Sequence, residues 1–318
     1  MSESQIQISA QVQIKAVMED EAGQRIDNYL MRQLKGVPRS HVYRIVRKGE
    51  VRVNKGRIRP EYRLKAGDQV RIPPVRINKP DEITISHQHL QQVQDVLYED
   101  ERLLIINKPS GLAVHGGSGL QYGLIEVLRK ARPDAHFLEL VHRLDRGTSG
   151  CLMIAKKRSE LRNLHELLRE TRVDKRYLAM VRGEWQGGKQ VVEAPLKKGQ
   201  LRSGERIVRV SADGKYAKTR FSPVLVTPQF SLLEARPSTG RTHQIRVHAA
   251  HIGFPLAGDD KYGDETFNRL MHEEKGLKRL FLHARSLAFQ RPGADNRIQV
   301  NAPLSPELAR LLDGWKGV

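Results

Sequence analysis

The sequence contains a single cysteine, Cys151. One thiol cannot close an internal disulfide or build a cysteine-rich zinc site, so the chain reads as a protein of a reducing, cytoplasmic compartment. No run approaches the roughly eighteen apolar residues of a membrane-spanning helix, and no membrane partner is expected. The opening residues, MSESQIQISAQVQ, lack the charged head and apolar core of a secretory signal. Also missing are a G-x-x-x-x-G-K-[ST] loop for a nucleoside triphosphate, a G-x-G-x-x-G turn, and any HExxH or CxxC pattern. His243 and His248 lie close together in THQIRVH, but that spacing does not converge two imidazoles on one ion, so no metal site is expected. HGGSG (115–119) reads as a loop, and the chain has no internal repeat and no low-complexity tract.

Acidic residues are in short supply: 36 Asp and Glu face 55 Lys and Arg, a net charge of +19. Such an excess points to a polyanionic partner, because each phosphate neutralised by Lys or Arg releases condensed counterions. The charge is concentrated. Residues 25–79 hold 16 Lys and Arg against 4 Asp and Glu, +12 of the chain's +19. In that stretch RIDNYLMRQL sets Ile26, Leu30 and Leu34 on one helical face. Ser40 offers an N-cap for a second helix, HVYRIVRKG, which Gly49 ends. EVRVN (50–54) then alternates as a strand does, and LKAGDQVRIP (64–73) reads as a turn and a second strand. Arg39, Arg44, Arg47 and Lys48 on the second helix, with Arg52, Lys55, Arg57 and Arg59 after it, form one candidate phosphate-tracking surface. The paired helices, GEVRVNKGRI and LKAGDQVRIP resemble the S4 RNA-binding domain, in which helices and loop grip structured RNA.

Residues 80–94 are polar and without a clear period, as in a linker. Short apolar strands and turns follow: VLYED, LLIINKPSG, GCLMIAK, RYLAMVRGEW, FSLLEARPS. One helix is plain, SELRNLHELLRE (159–170), with Leu161, Leu164, Leu167 and Leu168 in a stripe. The expected fold class is α+β: a small S4-like domain over 20–83, a linker over 84–94, and a catalytic domain over 95–318 on a large mixed, mostly antiparallel sheet.

The candidate centre of the chemistry is VHRLDRGTSG (141–150), where Asp145 stands between Arg143 and Arg146. Cationic neighbours favour a carboxylate in its ionised form. LELVHRL reads as a strand and GTSG as a turn, which puts Asp145 at a strand end where functional groups commonly reach a cleft. PSTGRTHQIRVHAA (237–250) carries Arg241 and Arg246 as possible charge partners.

HRLDRGTSG resembles the catalytic motif of the pseudouridine synthases that modify large-subunit ribosomal RNA. INKPSGLAVHGG (106–117), DKRYLAMVRG (174–183), GRTHQIRVH (240–248) and GFPLAGDDKYG (253–263) follow the same family in order and rough spacing. Two large-subunit members share this architecture, and the motifs match one of them more closely. The resemblance implies that Asp145 is the essential catalytic residue, that Arg246 pairs with it, and that Tyr177 lies against the uracil and helps remove the C5 proton. It further implies that Arg143 fills the place of the extruded base and that His142 supports the loop. Asn107 and Lys108 match a family hallmark and are read as structural or phosphate-facing, and Arg241 as substrate-binding. No cofactor is implied. The implied partner is 23S ribosomal RNA, free or in an assembling large subunit, acted on by a monomer. Two alternatives stay open: a non-catalytic RNA-binding assembly factor, and a synthase for transfer or small-subunit RNA. Small-subunit relatives typically read GRLD where this chain reads HRLD.

Overall fold

A computed structural model describes residues 6–8, 11–34, 36–78, 87–116, 122–200 and 205–313. The first seven residues of the expected linker (80–86), and Gly117 to Gly119 of HGGSG, lie outside them. The chain divides into two compact units, Met1–Thr84 and Ile85–Val318.

The smaller unit packs helices Ile26–Gln33 and Arg39–Arg47 on a sheet of four short strands: Gln13–Ala16, Gln69–Ile72, Arg52–Val53 and Gly56–Arg57. Ile26, Leu30 and Leu34 are buried as their spacing requires, against Val42, Ile45 and Val46 of the second helix. That helix starts earlier than its expected cap: Pro38, not Ser40, holds the N-cap position, its ring presetting a backbone angle of −57°. EVRVN shortens to a two-residue strand because Asn54 and Lys55, at φ of 49° and 68°, turn at once into Gly56–Arg57. Two buried carboxylates hold the unit's turns. Asp27 takes both arms of the Arg25 guanidinium and the Tyr43 hydroxyl. Asp68 accepts from Lys65 N, Asn54 and Tyr62.

The larger unit is built on a ten-stranded sheet. From one edge its main path runs Gln190–Glu193, Lys218–Val226, Phe230–Pro237, Asp174–Arg182, Leu282–Gln290, Ser149–Ala155, Leu103–Lys108 and Val96–Glu99. Neighbours pair antiparallel except at one seam, where Ser149 and Gly150 pair in parallel with His283 and Ala284. That seam follows directly on the loop bearing Asp145, and it needs a glycine. Gly150 has φ +106°, and a Cβ there would lie 2.3 Å from the carbonyl oxygen of Ala284. Ser149–Ala155 is buried along its whole length, with Leu152 and Ile154 facing one core layer and Cys151 and Met153 the other. Helix Arg158–Arg169 covers the second layer through Leu164 and Leu167, with Leu161 and Leu168 at the margin. A short helix, His87–Gln91, occupies part of the stretch that reads as a linker.

Candidate active site

A cleft of about 1170 Å³ opens in the larger unit, and Arg143, Asp145, Tyr177, Arg241, His243 and Arg246 are among its lining residues. The expected strand before Asp145 is only Glu139–Leu140. It ends early because the Met153 amide donates to Nε2 of His142 at 3.2 Å, which takes the place of a ladder carbonyl. The remaining residues form a loop whose carbonyl at Asp145 accepts from Thr148 N. Burial, and then the charge of Lys175, push His142 down to about 4. A neutral imidazole is what an Nε2 acceptor requires. His142 lines the cleft while holding this loop to the sheet.

Arg246 enters from the helix Gln244–His251. It is buried, and Asp259 grips it from behind through two hydrogen bonds of 2.7 Å, to Nε and Nη2. Its remaining nitrogen, Nη1, lies 3.4 Å from Oδ2 of Asp145. The Tyr262 ring sits beneath the guanidinium at 5.1 Å. Burial works against the charge, but the bonds to Asp259 and the field of Asp145 outweigh it and hold Arg246 above its ordinary value. His243, at the left-handed position that starts the helix, brings Nε2 within 3.9 Å of Oδ1 of Asp145, and its Nδ1 meets the Tyr262 hydroxyl at 2.8 Å. The candidate carboxylate is thus faced by a fixed arginine and by an imidazole.

Tyr177 sits where strand Asp174–Arg182 shifts register against Leu282–Gln290, between Arg176 and Leu178. Such an irregularity re-aims a side chain, here toward the cleft. Burial and then the charge of Asp145 push the phenol well above its ordinary value. At neutral pH it is a phenol, not a phenolate.

The other expected site residues separate. Arg143 and Arg241 are exposed at the cleft, and the Arg241 guanidinium donates to the Tyr216 carbonyl. Arg146, although next to Asp145 in sequence, points its Nε at the Gly111 carbonyl at 2.8 Å. For Lys108 and Asn107 the geometry favours the structural reading over the phosphate-facing one. Lys108 is fully buried, and its ammonium donates to the carbonyls of Pro109, Leu112 and Arg146. Burial, and then the charge of Arg279, bring it down to about 7, with Asp145 acting in the opposite sense. Asn107 lies outside the cleft and bonds Asp95 at 2.9 Å. In the smaller unit Arg39, Arg44, Arg47, Lys48, Arg52, Lys55, Arg57 and Arg59 are all exposed. Among the described residues none of the eight pairs with a carboxylate. No group of three or more His, Cys, Asp or Glu among the described residues could hold a metal ion.

Asp259 and Tyr262 were not singled out by the sequence, and His243 was weighed there only as a metal ligand. A signal for Asp259 existed: a buried arginine needs a buried carboxylate, and GFPLAGDDKYG offers an acidic pair close in sequence.

The RNA pseudouridylate synthase family model matches residues 102–251, and the S4 domain model matches 24–70. The chain is 58% identical over 308 residues to the ribosomal large subunit pseudouridine synthase C of Pasteurella multocida, spanning 96% of this chain and 94% of that protein. It is also 58% identical over 306 residues to the protein of that name from Escherichia coli K12, spanning 95% and 96%. Among solved structures, human RNA pseudouridylate synthase domain containing 4 superposes with a TM-score of 0.58 at 28% identity, over 71% of this chain and 94% of that one. With an S4 domain ahead of a domain whose loop, strand and helix bring HRLD, KRY and QIR to one cleft, this chain belongs to the RNA pseudouridylate synthase family and is an isomerase of that kind.

Proposed function

We propose that this protein isomerises specific uridines to pseudouridine in large-subunit (23S) ribosomal RNA, with Asp145, Tyr177 and Arg246 as its catalytic residues. The observation that carries this reading is Asp145 set 3.4 Å from an arginine that Asp259 fixes from behind, in a cleft shared with Tyr177. The bond between N1 and C1′ must break, the uracil must turn, and C5 must bond to C1′ while the C5 proton leaves and N1 gains one. Asp145 acts at the ribose, either as nucleophile at C1′ or as base at C2′, and both routes need the ionised carboxylate. Arg246 keeps that carboxylate oriented. Tyr177 packs against the uracil; as a neutral phenol it accepts the C5 proton only while passing its own on. One C–N bond is exchanged for one C–C bond, so the reaction is redox-neutral and calls for no cofactor.

A stacked uridine must leave its helix to reach this cleft, at a cost of a few kcal/mol. Arg143 fills the gap left behind, and Arg241 contacts the substrate strand. We assign 20–83 as the RNA-binding domain, 84–94 as the linker and 95–318 as the catalytic domain. The eight exposed cations of the first domain supply backbone contacts that offset flipping. Changing Arg44, Arg47 and Lys48 together to Gln is expected to weaken RNA binding at low salt. The slope of log affinity against log salt should fall by about 0.7–0.9 for each phosphate that the variant no longer neutralises. Equal slopes for wild type and variant in a filter-binding titration would refute the assignment.

The names of the relatives at 57–58% identity favour the C type over the D type of large-subunit synthase. The intact trio of Asp145, Tyr177 and Arg246 speaks against a non-catalytic assembly factor. We read the protein as a monomer that meets free 23S RNA or an assembling subunit in the cytoplasm. Among the described residues no helix is long and apolar enough to cross a membrane. The deciding experiment is pseudouridine mapping of ribosomal RNA from cells with and without the gene. Loss of specific large-subunit sites, restored by the gene, is the expected result. An unchanged map of the large-subunit RNA would overturn the substrate.

A further inference from the structure

The motif DKRYLAMVRG sends two side chains to the cleft, and only Tyr177 has a role so far. The other is Lys175, two residues earlier on the same strand. Lys175 is half-buried, and among the described residues its ammonium makes no hydrogen bond and no ion pair. Burial lowers it from its ordinary value. A partly desolvated ammonium without a counter-charge is unfavourable, and an anionic ligand would relieve it.

Lys175 also marks where the cleft adjoins a second hollow, of about 310 Å³. Arg172, Lys175, Lys218, Arg220 and Arg236 line that hollow, with Asp174 as its one carboxylate. Asp174 is already engaged by Arg176 at 2.9 Å. Arg172, Lys218 and Arg236 pair with Glu170, Glu193 and Glu234 at 3.2, 2.5 and 2.7 Å. Arg220, exposed on the strand Lys218–Val226, has no partner among the described residues. Two cations without counter-charges therefore remain, one at the mouth shared with the catalytic cleft and one beyond it.

We propose that Lys175 and Arg220 form a phosphodiester subsite, in which Lys175 holds a phosphate next to the flipped uridine and Arg220 follows the strand as it leaves the cleft. The inference rests on the reading of the protein as an RNA uridine isomerase. It assigns the ligand by chemistry: RNA presents a monoanionic phosphate on each side of the target nucleotide, and a lysine binds such a group as a point charge. A role confined to lowering His142 would need the Lys175 charge but no RNA.

The test uses the full chain and an RNA stem-loop around a mapped site, made with natural linkages or with one uncharged methylphosphonate beside the target uridine. Lys175→Met is expected to raise KM about tenfold to a hundredfold, the range for one charged hydrogen bond, with the single-turnover rate at saturating RNA within about threefold of wild type. Lys175→Arg should recover most of the loss. Arg220→Ala, at an exposed position where folding is not at stake, should raise KM by a smaller factor. At one of the two flanking linkages the methylphosphonate should impair wild type as Lys175→Met does, and should cause no further loss in that variant. Wild-type KM in both Lys175→Met and Arg220→Ala, or fully additive effects of Lys175→Met and methylphosphonate at both linkages, would overturn the subsite while leaving the isomerase reading intact. No turnover of the natural RNA by wild type would instead overturn that reading, and the subsite with it.

Discussion

Asp145→Asn is expected to lower the single-turnover rate of pseudouridine formation by roughly four orders of magnitude or more, as when a residue that carries the chemistry itself is removed. The asparagine amide has the shape of the carboxylate but neither its charge nor its nucleophilicity. Its carbonyl can still accept from Nη1 of Arg246 across the 3.4 Å now spanned to Oδ2. Arg246 stays in place, because its other two nitrogens are bonded to Asp259. The loss should therefore fall on the rate, with RNA affinity and the unfolding midpoint near wild type. Release of tritium from C5-labelled uridine measures the rate, and a binding titration with thermal unfolding measures the rest. A variant retaining even a tenth of wild-type turnover would remove Asp145 from the chemistry.

The second large effect concerns Asp259. Its side chain is fully buried and that of Arg246 nearly so, and removing one member of such a pair leaves the other charge uncompensated. Asp259→Leu is expected to destabilise the protein by about 3–5 kcal/mol. It should also depress activity, because the guanidinium is then free to turn away from Asp145. The double variant Arg246→Met/Asp259→Leu separates the two consequences: apolar replacement of both partners should regain most of the stability and none of the activity. Urea unfolding and the tritium assay distinguish these outcomes, and recovery of turnover in the double variant would show that the pair is only a brace. The pair also predicts acid sensitivity. Burial alone would raise the Asp259 carboxyl, but the bonds from Arg246 hold it below its ordinary value. Its contribution is complete above the unfolded carboxylate range and is lost as pH falls through the depressed folded value.

What could be read from the sequence, and what could not, divides by how far apart in the chain the partners lie. The Ile26, Leu30 and Leu34 spacing and the leucine stripe of 159–170 specify helices locally, and both helices form with those faces inward. The motifs placed Asp145, Tyr177 and Arg246 in one family pattern, and the three line one cleft. Which of the two readings of Lys108 applies, structural or phosphate-facing, is not legible locally, because a lysine beside Pro-Ser-Gly fits either. It is buried only when the 145–148 loop folds over it, a contact 38 residues away in the chain. Asp259 was hidden for a related reason: its partner is 13 residues back, across the end of a helix, where no periodicity connects them. Arg146 shows the converse, since adjacency in sequence placed it beside Asp145 and the fold sends its guanidinium to Gly111.

The buried Lys108 ammonium has a bearing on how the substrate arrives. It joins carbonyls of the 109–112 turn to that of Arg146, and three bonds reinforce the knot: Ser110 to Gly147, Arg146 to Gly111, and the Gly111 amide to Arg146. One turn cannot swing without breaking bonds to the other, so they move as a single rigid body. The Gly111 amide, which donates to Arg146 across this knot, is therefore expected to exchange slowly in a hydrogen-exchange measurement. A loop tied down in this way is expected to act as an anchor and not a flap, so that motion of the RNA closes the distance between a stacked uridine and Asp145.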